Sequence, residues 1–104
     1  MSKWIFTVKE GTNLRKEINN GHEGNILRSI KACYQEAIRK SNDDDMIDEL
    51  EQALELIGDE DELADNEDYE TLEDFGFDSF EELVDERLYE LYNLADSWMF
   101  FIAL

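Results

Sequence analysis

Residues 43–58 read Asp-Asp-Asp-Met-Ile-Asp-Glu-Leu-Glu-Gln-Ala-Leu-Glu-Leu-Ile-Gly. Two patterns are superimposed in them. Met46, Ile47, Leu50, Ala53, Leu54 and Ile57 recur at helical spacing and make an apolar stripe. Asp44, Asp48, Glu51 and Glu55 recur four, three and four residues apart and make an acidic stripe on the outside. Acids at the start suit the positive end of the helix dipole, and Gly58 ends the pattern. A disordered acidic tail would carry the charge without the apolar period. This stretch therefore predicts a folded helix with a negative outer face.

On its C-terminal side, residues 59–67 are the most acidic and least periodic part of the chain, and they read as a loop. Tyr69, Leu72 and Phe75 fit a short helix closed by Gly76. Ser79 followed by Glu82 is a capping box, and Phe80, Leu83, Val84, Leu88, Leu91 and Ala95 give the inner face of a long helix. On the N-terminal side, Asn25 caps a helix running to about Lys40, with Ile26, Leu27, Ile30, Cys33, Ala37 and Ile38 inward. A shorter helix around Leu14 and Ile18 precedes it, capped by Thr12 or Asn13 and stopped by Asn19-Asn20-Gly21.

Residues 3–9 are the best strand, with Trp4, Phe6 and Val8 on one face. The run 98–104 reads two ways. It continues the helical stripe through Leu94, Ala95, Trp98, Met99 and Ile102, and it is also a continuous apolar run fit for a buried strand. A lone N-terminal strand needs a partner for its backbone groups, which tips the choice narrowly to a strand. If the run stays helical, the first strand must pair elsewhere, for instance with its copy in a homodimer. The expected class is α+β, predominantly helical, with four to five helices between the two strands in one domain, 1–104.

The charge is lopsided. The chain has 9 Lys and Arg against 28 Asp and Glu, a net charge of −19. Residues 1–40 hold eight basic and four acidic side chains; residues 41–104 hold one, Arg87, against twenty-four. Such a field repels nucleic acid and anionic membrane and steers basic proteins inward. Cys33 is the one cysteine, so no internal disulfide forms, and buried packing is its expected role. Lys3 is followed by an alternating pattern rather than an apolar leader, and the expected location is cytoplasmic.

Catalytic chemistry has little support. There is no Gly-rich phosphate loop, no nucleophile elbow and no zinc spacing of Cys and His. His22 sits between Gly21 and Gly24 with no Cys or His partner nearby. The tripeptide Asp74-Phe75-Gly76 lacks every other kinase element. An EF-hand loop needs Gly at its sixth position and Glu at its twelfth. Starts at Asp43 and Asp59 place Asp48 and Ala64 sixth, and Leu54 and Glu70 twelfth. No enzyme activity, metal or cofactor is expected.

Two resemblances follow from these residues. Phe75-Gly76-Phe77-Asp78-Ser79-Phe80 resembles the Gly-x-Asp-Ser-Leu signature of acyl and peptidyl carrier proteins, with Phe80 in the leucine position. It implies Ser79 as a phosphopantetheine attachment site. In size, composition and charge layout, the segment 43–90 resembles the small DNA-mimic inhibitors of phages and mobile elements, of the anti-restriction and anti-CRISPR kind. That resemblance implies a basic protein partner, one that normally binds nucleic acid, met in the host cytoplasm. The residues expected to face it are Asp44, Asp48, Glu51 and Glu55, then Asp59, Glu60, Asp61 and Glu62, then Glu82, Asp85 and Glu86. Tyr69, Tyr89 and Tyr92 are expected to add contacts where exposed.

Overall fold

The computed structural model describes residues 7–9 and 13–103. In chain order these form β1 (Thr7–Val8), α1 (Leu14–Asn20), α2 (Glu23–Lys40), α3 (Asp44–Ile57), α4 (Glu60–Asp65), α5 (Tyr69–Asp74), α6 (Phe80–Trp98) and β2 (Phe101–Ile102). The class is mostly helical α+β, as expected.

Helix α2 is the hub. It packs against α1, α3, α4, α6 and β1. Its apolar face explains why: Ile26, Leu27, Ile30, Cys33, Tyr34 and Ala37 are all buried in one cluster with Leu14, Met46, Leu50, Leu72, Leu83 and Leu91. Each fully buried side chain of the Leu or Ile kind contributes roughly 1.5–3 kcal/mol. Helix α2 begins at Glu23, earlier than the Asn25 cap anticipated, with extended His22 as the N-cap and no side-chain cap bond. Asn25 instead accepts a hydrogen bond from Arg28 Nη1 at 2.8 Å.

Helix α3 follows its sequence pattern. The Asp43 carboxylate accepts from the Asp45 and Met46 backbone N–H groups, at 2.9 and 3.1 Å. At the other end Gly58 has φ 48° and ψ −122°, a backbone conformation that needs glycine.

Helix α4 corrects the loop expected at 59–67. Its apolar content is slight, so the sequence carries no period to find. It is held by its neighbours instead. Gly24 of α2 lets it approach closely: a Cβ there would meet the Asp65 carboxylate and would lie 3.2 Å from the Asp61 carbonyl oxygen. Arg28 and Lys31 of α2 then pair with Asp61 and Asp65.

Helix α6 is capped by the Ser79 hydroxyl, which accepts from Glu82 N–H at 3.2 Å. The reciprocal bond of the capping box is displaced by one residue, since Glu82 Oε2 accepts from Asp78 N–H at 3.3 Å. At the far end, both readings of the last run hold in part. The helix continues to Trp98, Met99 then turns left-handed at φ 59°, and Phe101–Ile102 form the strand. Phe100 N–H donates to Ala95 O at 3.0 Å, the six-to-one bond of a Schellman ending.

The two strands pair in parallel, Thr7 opposite Phe101 and Val8 opposite Ile102. Val8 and Ile102 are the inward pair and are buried. The C-terminal end of α2 fixes β1 in place. Lys40 Nζ donates to Thr7 O at 2.7 Å, and Lys9 N–H donates to the buried Glu36 carboxylate. Trp4 and Phe6, expected on the face of the first strand, lie outside the described residues.

Candidate functional site

The acidic surface is built on α3, α5 and α6. Along α3 the carboxylates of Asp44, Asp45, Asp48, Glu49, Glu51 and Glu55 are all exposed. A helix of this length spans about 21 Å, so α3 alone carries roughly one negative charge per 3.5 Å of axis. On α6, Glu81, Glu82, Asp85, Glu86 and Asp96 are exposed, and Glu70, Glu73 and Asp74 add to the field from α5.

The same surface lacks positive charge for a structural reason. Arg87, the one basic residue after Lys40, is 5 % exposed. Its guanidinium donates to Glu60 from Nε at 2.9 Å and from Nη2 at 2.8 Å, and from Nη1 to Glu90 at 3.1 Å. The Phe77 ring lies 5.7 Å from its centre. Burial works against this charge, yet the hydrogen bonds and charge of Glu60, with Glu90 and Glu86, outweigh it and raise the Arg87 pKa. Burial also pushes the Glu90 carboxyl up, and Arg87 offsets part of that while Glu86 and Glu60 add to it. The basic residues of α2 are paired within the chain, Arg28 and Lys31 to α4 and Arg39 and Lys40 to Glu36, although the Arg28 and Arg39 side chains stay exposed.

Of the eleven acids expected to face a partner, Asp44, Asp48, Glu51, Glu55, Asp59, Glu62, Glu82, Asp85 and Glu86 are exposed. Glu60 and Asp61 are not, being 2 % and 7 % exposed. This is a correction with a clear cause. Glu60 is the bidentate partner of Arg87, and Asp61 lies 3.3 Å from Lys31 Nζ and 3.6 Å from Arg28 Nε, so both carboxylates serve the fold.

The exposed acids do not form one plane. Glu51 and Glu55 border a cleft with Gln35 and Ile38 of α2. Asp85 and Glu81 border another, against Ile18 and Ile26. Glu86 faces α3 across an open groove that also includes Glu49 and Glu90. The carboxylates thus wrap around α3 and α6, two neighbouring helices joined by the bond from Trp98 Nε1–H to Glu49 Oε2 at 2.6 Å.

The pattern of residues alone missed Glu49 and Leu56. Both depart from the two stripes of α3, and an apolar residue outside the buried stripe is the signal that marks Leu56. Tyr69 and Tyr89 are well exposed, and Tyr92 is partly so at 39 %. Ser79 is half-buried at the N-cap of α6, its hydroxyl engaged by Glu82 N–H. Among the described residues, no group of three or more His, Cys, Asp or Glu side chains is arranged to hold a metal ion. No described helix is long and apolar enough to cross a membrane. Comparison with protein-family models, curated proteins and solved structures found no match.

Proposed function

We propose that the chain is a non-enzymatic inhibitor that docks its carboxylate-rich helical surface into the basic, nucleic-acid-binding groove of a target protein, a DNA mimic of the anti-defence type. One observation carries the reading: the surface of α3 to α6 is rich in exposed carboxylates and carries no exposed cation, because its one cation, Arg87, is enclosed by Glu60 and Glu90. Acidity kept for solubility alone would tolerate exposed lysines among the acids.

The charge spacing supports the same reading. One strand of B-DNA places a phosphate about every 3.4 Å. The carboxylates of α3 recur at about that density on a helix whose backbone is already ordered, so docking costs little further conformational entropy. Phosphates and carboxylates both accept hydrogen bonds from Lys and Arg, and a groove built for one attracts the other.

The test is charge reversal. Asp48, Glu51 and Glu55 are exposed on α3 and make no ion pair within the chain among the described residues. Changing all three to Lys is expected to abolish binding to a DNA-binding target and to flatten its salt dependence. A short DNA duplex is expected to compete with the unaltered chain for the same target. Unchanged affinity after the triple reversal, or binding indifferent to the duplex, would sink the proposal.

A further inference from the structure

The groove between α3 and α6 has a chemistry of its own. Ala53, Leu56, Leu94 and Tyr89 line it, together with polar side chains that include the carboxylates of Glu49 and Glu86. Leu56 is 55 % exposed and Tyr89 66 % exposed, so neither is spent on the core. The groove encloses about 450 Å³. Glu49 is held in place by the Trp98 indole N–H.

From this we infer that the groove is the anchor point of the docking surface and takes an arginine side chain from a basic segment of the partner protein. The inference rests on the function proposed above and specifies its partner. Charge complementarity selects a cation, since an apolar side chain alone would strand the rim carboxylates without water. The apolar lining and the exposed phenol then select arginine over lysine. A guanidinium stacks on an aromatic ring, bonds a carboxylate through two parallel N–H groups, and lays its aliphatic stem along leucine. Lysine meets the charge but neither the ring nor the paired geometry. Glu90 already serves Arg87 and Glu49 Oε2 accepts from Trp98, which leaves Glu86 and the second oxygen of Glu49 for the incoming cation.

Two capped peptides of equal length and charge test it, one alternating arginine with serine and the other lysine with serine. They are titrated by calorimetry into the full chain, the double variant Tyr89→Ala with Leu56→Ser, and the triple reversal of Asp48, Glu51 and Glu55 to Lys. The double variant alters exposed positions and keeps the net charge, and circular dichroism checks that it is folded. The arginine–serine peptide is expected to bind the full chain about tenfold or more tighter than the lysine–serine peptide. The double variant is expected to erase that preference. Equal affinities for the two peptides, or a preference that survives the double variant, overturns the inference. If the triple reversal weakens both peptides while the double variant changes nothing, the acidic surface stands and the groove falls. If the double variant erases the preference and the reversal has no effect, the groove stands and the wider surface falls.

Discussion

Arg87 and Glu60 face each other through two parallel hydrogen bonds, 2.9 and 2.8 Å long, between side chains that are 7 % and 3 % exposed. The pair joins the long helix α6 to the short helix α4. It also removes from the surface the one positive charge that residues 41–104 possess.

Cutting this pair on one side leaves a buried, uncompensated carboxylate. Arg87→Met is expected to destabilise the chain by about 3–5 kcal/mol. Replacing both partners, Arg87→Met with Glu60→Leu, is expected to recover most of that loss, since apolar groups of similar size suit the site. Urea denaturation of the two variants measures both effects. Comparable destabilisation in the double variant would show that the cost lies in packing rather than in the stranded charge.

Tyr34 presents the opposite situation. Its side chain is wholly buried and its hydroxyl has no hydrogen-bond partner among the described residues. Burial, with Glu90 adding to it, keeps the phenol protonated well above its ordinary range. Removing the hydroxyl therefore takes away an unmet polar group. Tyr34→Phe is expected to leave stability unchanged or raise it by about 1 kcal/mol. A clear loss of stability in thermal unfolding would reveal a bond made by that oxygen.

The helix caps give small, local effects. Asp43→Ala removes an acceptor for two backbone N–H groups, and Ser79→Ala removes one. Each is expected to cost about 0.5–2 kcal/mol. Because these changes act on helix ends, partner affinity measured on the folded variants should stay within about twofold, a difference of roughly 0.4 kcal/mol.

Glu90 makes stability depend on pH. Its carboxyl is raised, first by burial, so the folded chain holds this proton at a pH where the unfolded chain has released it. Its contribution is therefore complete below the ordinary glutamate value and is lost as pH rises through the raised one. Glu90→Gln keeps an acceptor for Arg87 and cannot ionise. It is expected to be more stable than the parent at pH 7, with the gap closing on acidification. Denaturation midpoints across that range check the sign. A gap of constant size would assign the effect to something other than ionisation.

Much of the fold was legible because it is local. Asp43, Ser79 and Gly58 act within a turn of their own helix, and the apolar stripes of α2, α3 and α6 repeat every three or four residues. Helix α4 was not legible, because its support comes from Arg28, Lys31 and Arg87 on other helices. The end of the chain was ambiguous for a related reason. The same apolar run satisfies both periods, and the buried side chain of Phe100 sits after a left-handed turn at Met99 that no repeat foretells.

The sequence by itself determined that the chain is helical, that its two ends are apolar and strand-like, and that negative charge lies on the outer faces of its later helices. These follow from periodicity and charge count, which act over a few residues. Tertiary structure alone decided which carboxylates are spent. Glu60 and Arg87 are 27 residues apart, and Arg28 and Asp65 are 37 apart. Such pairs form because packing sets two helices side by side, and no local rule selects one acid among twenty-eight for that role. The same packing placed Leu56 and Tyr89 on one groove and Glu49 beside Trp98, and so gave a shared site to Leu56 and Glu49, which belong to neither stripe of α3.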